Sequence, residues 1–273
     1  SNIAKVFSKF PAYNTVSIDT TKDADITIKK RNSHEAYDEH FPSLKRRLKL
    51  EGSDVCVVVC GSGKISGGAL RLLEQLKAYD LSVLYLQPDL DLLSEEEKKQ
   101  EKIVYNILQE FARSGLLDRI YLVSNEKVGE GLGDLPILNR YETLNQAIVN
   151  TFHMLAVFHR SEPVLGTFTQ PADISRISTM GVLDVEKNEE KWFFDLRMPR
   201  DVVYYYGINE DELKTDGTLF KSITNFVKSK IEEDVNVSYG VYKTTYEQRY
   251  CYCVKHSSVV QSYIDILDGR DIG

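Results

Sequence analysis

The sequence has no apolar run long enough to cross a bilayer. Its longest, Val55-Cys56-Val57-Val58-Val59-Cys60, is far short of the roughly 20 residues a membrane span requires. It has no cationic excess. Lys and Arg total 34 against 41 Asp and Glu, a formal charge of -7. That balance argues against a general nucleic-acid binder, which needs net positive surface to displace counterions. It has only four cysteines in 273 residues, too few for a disulfide scaffold. Neither Cys56 with Cys60 nor Cys251 with Cys253 has the C-x-x-C spacing of a zinc site, so they read as small core residues. The five histidines, His34, His40, His153, His159 and His256, show no ligand spacing and no nucleophile partner. No internal repeat or low-complexity segment is apparent. No signal or transit peptide is visible, so the cytoplasm is the expected setting.

The composition itself is that of a globular protein, with 42% hydrophobic and 27% charged residues. An amphipathic helix carrying Ile3, Ala4, Phe7 and Phe10 is expected before Pro11. A strand is expected over 14–19 and a charged helix over 35–50. Val55–Cys60 is an uninterrupted run that suits a strand buried on both faces. A glycine-rich loop follows over 61–68, then a helix over 69–78. Further strands are expected over 81–86 and 119–123, with a long helix over 95–114 between them. Alternating strands and helices predict a doubly wound, parallel α/β sheet over 1–136.

A central helix is predicted over 137–160, with Leu144, Ile148, Phe152 and Leu155 on one stripe. Residues 161–273 then read as a smaller α+β domain. Its strands are expected at 192–198, 201–206, 235–242 and 247–254, with a helix over 219–233. Tyr204-Tyr205-Tyr206 read as strand residues that pack or cover a sheet edge.

The segment Gly61-Ser62-Gly63-Lys64-Ile65-Ser66-Gly67-Gly68 lies between strand and helix. Glycines permit positive φ and close backbone approach, and a helix N-terminus offers unpaired N–H groups, so the loop reads as a phosphate cradle. Ser66 would add a hydroxyl donor and Lys64 a cation. The pattern is not a Walker A loop, because the lysine precedes the last glycines. A dinucleotide-dependent oxidoreductase is the weaker alternative. Its third glycine would come one place late, and Asp80 lies before a strand instead of at its C-terminal end.

Gly61, Gly63, Ser66 and Gly67 match the glycine loop of the tubulin/FtsZ superfamily, which this sequence resembles over nearly its whole length. Ser62, Lys64 and Ile65 depart from that pattern. The stretch Arg119 to Asn125 resembles the family strand whose closing asparagine contacts nucleotide. Tyr141-Glu142-Thr143-Leu144-Asn145 resembles the helix whose aromatic ring stacks on guanine while an asparagine one turn on bonds the base edge. Ile18-Asp19-Thr20 resembles the second strand and its turn, which puts Asp19 near the phosphates and a magnesium ion. Gln87-Pro88 resembles the start of the sugar-binding loop, with Glu95, Glu96 and Glu97 where a ribose contact would fall.

The segment Phe168-Thr169-Gln170-Pro171-Ala172-Asp173-Ile174 resembles the loop that completes a neighbouring subunit's site. Asp173 occupies the second acidic position and Gln170 replaces the first acid. A helix is expected near Ile174, with Asp173 as its N-cap.

The resemblance implies a GTP- or GDP-binding protein with Mg2+ that self-associates head to tail into filaments. Gly61, Ser62, Gly63, Lys64, Ser66, Gly67, Asn125, Tyr141, Asn145, Asp19 and Asn2 would bind nucleotide, and Asp173 with Gln170 would serve hydrolysis. That hydrolysis is expected to be slow, because Gln170 cannot accept a proton as a carboxylate does. A bacterial, plasmid or bacteriophage member fits best, in a bacterial cytoplasm or phage-infected host. The acidic stretch 265–273 loosely resembles tails that grip a neighbouring subunit, and nucleic acid would be met only through an adaptor. The alternative is a degenerate, non-polymerising, non-catalytic binding or scaffold module. The family begins with a strand and a second glycine loop, so such a segment is expected ahead of Ser1.

Overall fold

The computed structural model describes residues 2–61 and 63–263. In chain order the helices are α1 (Asn2–Phe7), α2 (His34–Glu39), α3 (Ala69–Leu76), α4 (Glu95–Arg113), α5 (Asn125–Leu132), α6 (Arg140–His159), α7 (Glu210–Thr215) and α8 (Leu219–Ser229). The strands are β1 (Ile18–Asp19), β2 (Ile26–Thr27), β3 (Asp54–Cys60), β4 (Asp80–Gln87), β5 (Arg119–Ser124), β6 (Leu165–Gly166), β7 (Ile177–Asp184), β8 (Glu189–Trp192), β9 (Asp201–Asn209), β10 (Asn236–Thr244) and β11 (Tyr250–Ser257).

One sheet runs in the order β3-β4-β5-β7-β11-β9-β10-β6, with β8 paired to β7. The first four strands are parallel, which the crossovers through α3 and α4 require. β11 is antiparallel to both β7 and β9, so the second half is mixed. Helices cover both faces of the parallel half. Val57, Val59, Tyr85, Leu108 and Ile120 build one core beneath α3 and α4. Ile3, Leu84, Val123, Ile148 and Val149 build the other beneath α1, α5 and α6. Successive side chains of β3 and β4 alternate between the two, as the pleat dictates. A third core joins α8 to β9 and β10, with Tyr204 and Tyr206 inside it. This is the doubly wound α/β half, long helix and α+β half expected from the sequence.

Several expectations need correction. The strand over 14–19 shortens to Ile18–Asp19, and the charged helix over 35–50 to His34–Glu39. No helix begins near Ile174. Residues 172–175 form a turn in which Ser175 N–H donates to Ala172 O at 2.8 Å, and β7 starts at Ile177. Of the strand expected over 192–198 only Trp192 is extended, as the end of β8. Phe193, Phe194 and Leu196 are buried from irregular backbone, which explains their apolar pattern.

β3 does feed both cores, but it is the sheet's edge among the described residues, and Cys56 and Cys60 are exposed there. A groove of about 990 Å³ separates its free edge from residues 14–19. Phe7 and Phe152 wall it on one side and Leu72 and Leu76 on the other.

Candidate functional site

Three parallel strands end side by side. Cys60 pairs with Leu86, and Gln87 with Ser124. Gly61 N–H extends the ladder one step by donating to Leu86 O at 2.9 Å. The glycine turn, the loop after β4 and Asn125 therefore share one edge of the sheet, the C-terminal edge where open α/β sheets bind ligands.

Gly63 caps a 3-10 turn, Lys64–Gly68, that runs directly into α3. The turn's glycines do not adopt positive φ. The positive-φ glycines among the described residues lie elsewhere, at Gly52, Gly115, Gly133 and Gly166. Packing explains three of the loop's four. A Cβ on Gly61 would lie 2.5 Å from Tyr85 Oη, one on Gly67 2.4 Å from His34 O, and one on Gly68 2.3 Å from Phe41 Cδ2. Gly63 is different, because a Cβ there meets nothing closer than 3.5 Å.

Ser66 is buried rather than facing the edge. Its hydroxyl donates to Gly63 O at 2.7 Å and lies 3.0 Å from His34 Nε2. The hydroxyl's one proton is thus committed, so His34 Nε2–H is the donor. Burial lowers the His34 pKa, which favours the neutral ring. Sequence spacing does not show this partner of His34, because the contact joins positions 32 apart.

Lys64 Nζ donates to Asn32 O at 2.9 Å. It shares a recess of about 610 Å³ with Asp19, Lys30, Arg31 and Asn32. Three cations against one carboxylate make this recess electropositive. Asp19 Oδ1 accepts from Thr20 N–H at 2.6 Å. Among the described residues, no three His, Cys, Asp or Glu side chains cluster as a metal site.

The polarity of α6 follows from its far end. Arg160, just past its last residue, reaches Asp54 at the start of β3, with Nη2 3.2 Å from Oδ2. α6 therefore runs against β3, and its 20 residues span about 30 Å. Its N-terminus, with Tyr141 and Asn145, lies toward the edge that carries the glycine turn. There Arg140 packs so closely on α5 that a Cβ on Gly129 would lie 2.9 Å from the guanidinium. Tyr141 is 60% exposed and Asn145 half-buried. They are four residues apart and share a helix face. α1 packs along α6, with Phe7 on Phe152 and Phe10 on His153, and carries the exposed Asn2 at its start. Asn125 is the first residue of α5, after Ser124, whose Oγ accepts from Lys127 N–H.

Gln170 and Asp173 are exposed at the opposite edge. Arg176 O accepts from Ile120 N–H at 2.9 Å, and Arg176 Nη1 donates to Leu117 O at 3.2 Å. This segment thus sits beside the start of β5, while Asn125 follows its end. The intervening six residues span about 20 Å. Glu95 pairs with Lys98 at 2.9 Å, and Glu97 closes a capping box with Ser94. Two of the three acids considered for a ribose contact thus have helix-capping or ion-pair roles. Ser1, Ser62 and the acidic stretch 265–273 lie outside the described residues.

The fold is that of the tubulin/FtsZ proteins. No family model and no curated protein sequence matches the chain. Among solved structures, it is similar to a GTPγS-form protofilament of Bacillus thuringiensis serovar israelensis TubZ, with TM-score 0.74 and 12% identity over 99% of this chain and 88% of that one. It is similar to an empty FtsZ dimer from M. jannaschii, with TM-score 0.67 and 13% identity over 94% and 84%. It is also similar to a GTPγS-bound protofilament of CetZ2 from Haloferax volcanii, with TM-score 0.66 and 14% identity over 98% and 93%.

Proposed function

We propose that this chain binds a guanine nucleotide at the glycine turn and self-associates head to tail, so that the Gln170–Asp173 loop of one subunit meets the nucleotide of the next. One observation carries the reading: the glycine turn and the Asp173 loop lie at opposite edges of one sheet. Two such surfaces cannot meet within a monomer, whereas a repeated head-to-tail contact joins them and propagates without closing. The proteins of similar fold include GTPγS-bound protofilaments of TubZ and CetZ2.

In this reading Gly63 lacks a side chain because phosphate approaches its backbone, since packing leaves space there. Lys64, Lys30 and Arg31 offset phosphate charge. Ser66 acts by bracing the turn through His34 instead of touching the ligand. Tyr141 stacks on the base, and Asn145 supplies the donor and acceptor that a guanine edge needs. Asn125 contacts the nucleotide from the end of β5, with Asn2 bordering the phosphates. Magnesium would arrive with the phosphates, with Asp19 as its one carboxylate, in keeping with how Mg2+ is commonly held. When bound, it neutralises charge developing on the transferred phosphoryl group.

Asp173 orients the attacking water, and Gln170 accepts a hydrogen bond without accepting its proton, so turnover is slow. Calorimetry with GTPγS and ATPγS, with light scattering and phosphate release, tests this. Guanine preference and GTP-dependent assembly support it. Tight binding without assembly leaves a non-polymerising module, and equal affinity for both nucleotides overturns the base assignment.

A further inference from the structure

A buried polar cluster lies directly beneath the glycine turn and reaches the last described residues of the chain. Glu101 of α4 is fully buried with Tyr85 and Tyr105. Tyr85 Oη donates to Glu101 Oε1 at 2.5 Å. Gly61 rests on this pair, with space for a Cβ closed by Tyr85 Oη at 2.5 Å and Glu101 Cγ at 3.0 Å.

From the other side comes Tyr263. Its ring meets Tyr105 edge-on at 5.8 Å, Lys102 Nζ lies 5.6 Å from its centroid, and its hydroxyl donates to Lys98 O at 3.4 Å. Burial raises the Glu101 pKa and outweighs the hydrogen bond from Tyr85 and the lesser influence of Tyr263 and Gln87, which favour the charged form.

The segment carrying Tyr263 is clasped. Gln261 N–H donates to Gln109 Oε1 at 2.8 Å, and Gln109 Nε2 returns a bond to Gln261 O at 3.2 Å. Arg197 N–H donates to Gln261 Oε1 at 2.7 Å. A buried carboxyl without a cation is costly, and an apolar side chain would fill the same space more cheaply. What the acid adds is a fixed acceptor for the Tyr85 hydroxyl that floors Gly61, in a cluster that Tyr263 closes through the ring of Tyr105, itself 5.7 Å from the Tyr85 ring.

We propose that residues 258–263 form a strap that controls the glycine turn, with the Tyr263 ring sealing the cluster from water and Glu101 as the positioning residue that holds Tyr85 beneath Gly61. With Tyr263 seated, Glu101 holds the Tyr85 hydroxyl under Gly61. When the strap is drawn off, water reaches the carboxyl, Tyr85 loses its fixed partner, and the turn loosens. The consequence for nucleotide affinity rests on the function proposed above, whereas the coupling of strap to turn does not.

Hydrogen exchange on the nucleotide-free chain reads the coupling, and GTPγS calorimetry reads its consequence. Tyr263→Ala is expected to speed exchange at the Gly61 and Ser66 amides and to weaken GTPγS binding about tenfold, the scale of one lost buried polar link. Tyr263→Phe keeps the ring and should retain most of both. Val259→Ala, on the exposed side of the same strap, should change neither. Tyr85→Phe removes only the hydroxyl beneath Gly61, so it gives the same reading if Tyr263→Ala does not fold. Unchanged exchange in the folded Tyr263→Ala chain, or in Tyr85→Phe, overturns the proposal. Altered exchange with no GTPγS binding by the unmodified chain overturns the nucleotide reading and leaves the strap coupling standing.

Discussion

His34 Nε2 donates to Ser66 Oγ across 3.0 Å, and so ties α2 to the glycine turn. Ser66→Ala would leave the buried Nε2–H without that acceptor. The expected loss is about 1–3 kcal/mol, the range for a buried group left unpaired. Urea unfolding measures it. A loss near zero would mean that the turn is held by its glycine contacts alone.

Stability should fall on the acid side. Burial holds the pKa of both His34 and His256 below the usual 6.5, and Arg119, 2.8 Å from His256 Nδ1, adds to the effect at His256. The unfolded imidazoles take up protons as pH drops below about 6.5, and the folded ones resist until lower pH. These groups therefore cost nothing above that pH and drain stability beneath it, by up to about 1.4 kcal/mol per pH unit for each histidine. Melting temperatures from pH 7.5 to 5.5 should show the slope, and His256→Gln should flatten it.

Tyr141 is exposed, so removing it should leave the fold intact and weaken nucleotide binding. Tyr141→Ala is expected to lose about 0.5–1.5 kcal/mol of GTPγS affinity, the usual worth of an aromatic stack. Asn145→Leu should weaken guanosine binding more than adenosine binding, because it removes both the donor and the acceptor offered to the guanine edge. Calorimetry of both variants with guanosine and adenosine nucleotides checks the pair.

Asp173→Ala should bind GTPγS as the unmodified chain does, since it sits at the far edge of the sheet. Phosphate release should fall at least tenfold, the low end for a lost proton-handling group. Gln170→Asp should raise it. Mixing Asp173→Ala with a glycine-turn variant, Gly63→Val, tests the shared site: each variant lacks one half, and a mixed contact restores a complete one. No recovery of phosphate release in the mixture would argue against a site built from two subunits.

The β3–turn–α3 unit was legible because its signals are local: a β-branched run, then glycines, then an amphipathic stripe. β7 was hidden by its own polarity. Its buried Ser178 and Thr179 spend their hydroxyls on His256 Nδ1 and Leu122 O, a solution that hydropathy cannot anticipate. α5 was hidden because two of its eight residues are glycines and only Val128 and Gly129 are buried. Of the candidate site, the glycine turn and the Tyr141–Asn145 spacing could be read directly. The bracing by His34 and the floor under Gly61 could not, because both depend on contacts between elements far apart in sequence.

The ion pair of Arg160 with Asp54 lies on the surface at the end of α6 far from Tyr141. Exposed pairs of this kind contribute at most about 1 kcal/mol. Arg160→Ala should therefore barely move the melting temperature and leave GTPγS affinity as it was, which makes it the control for every variant at the helix's opposite end.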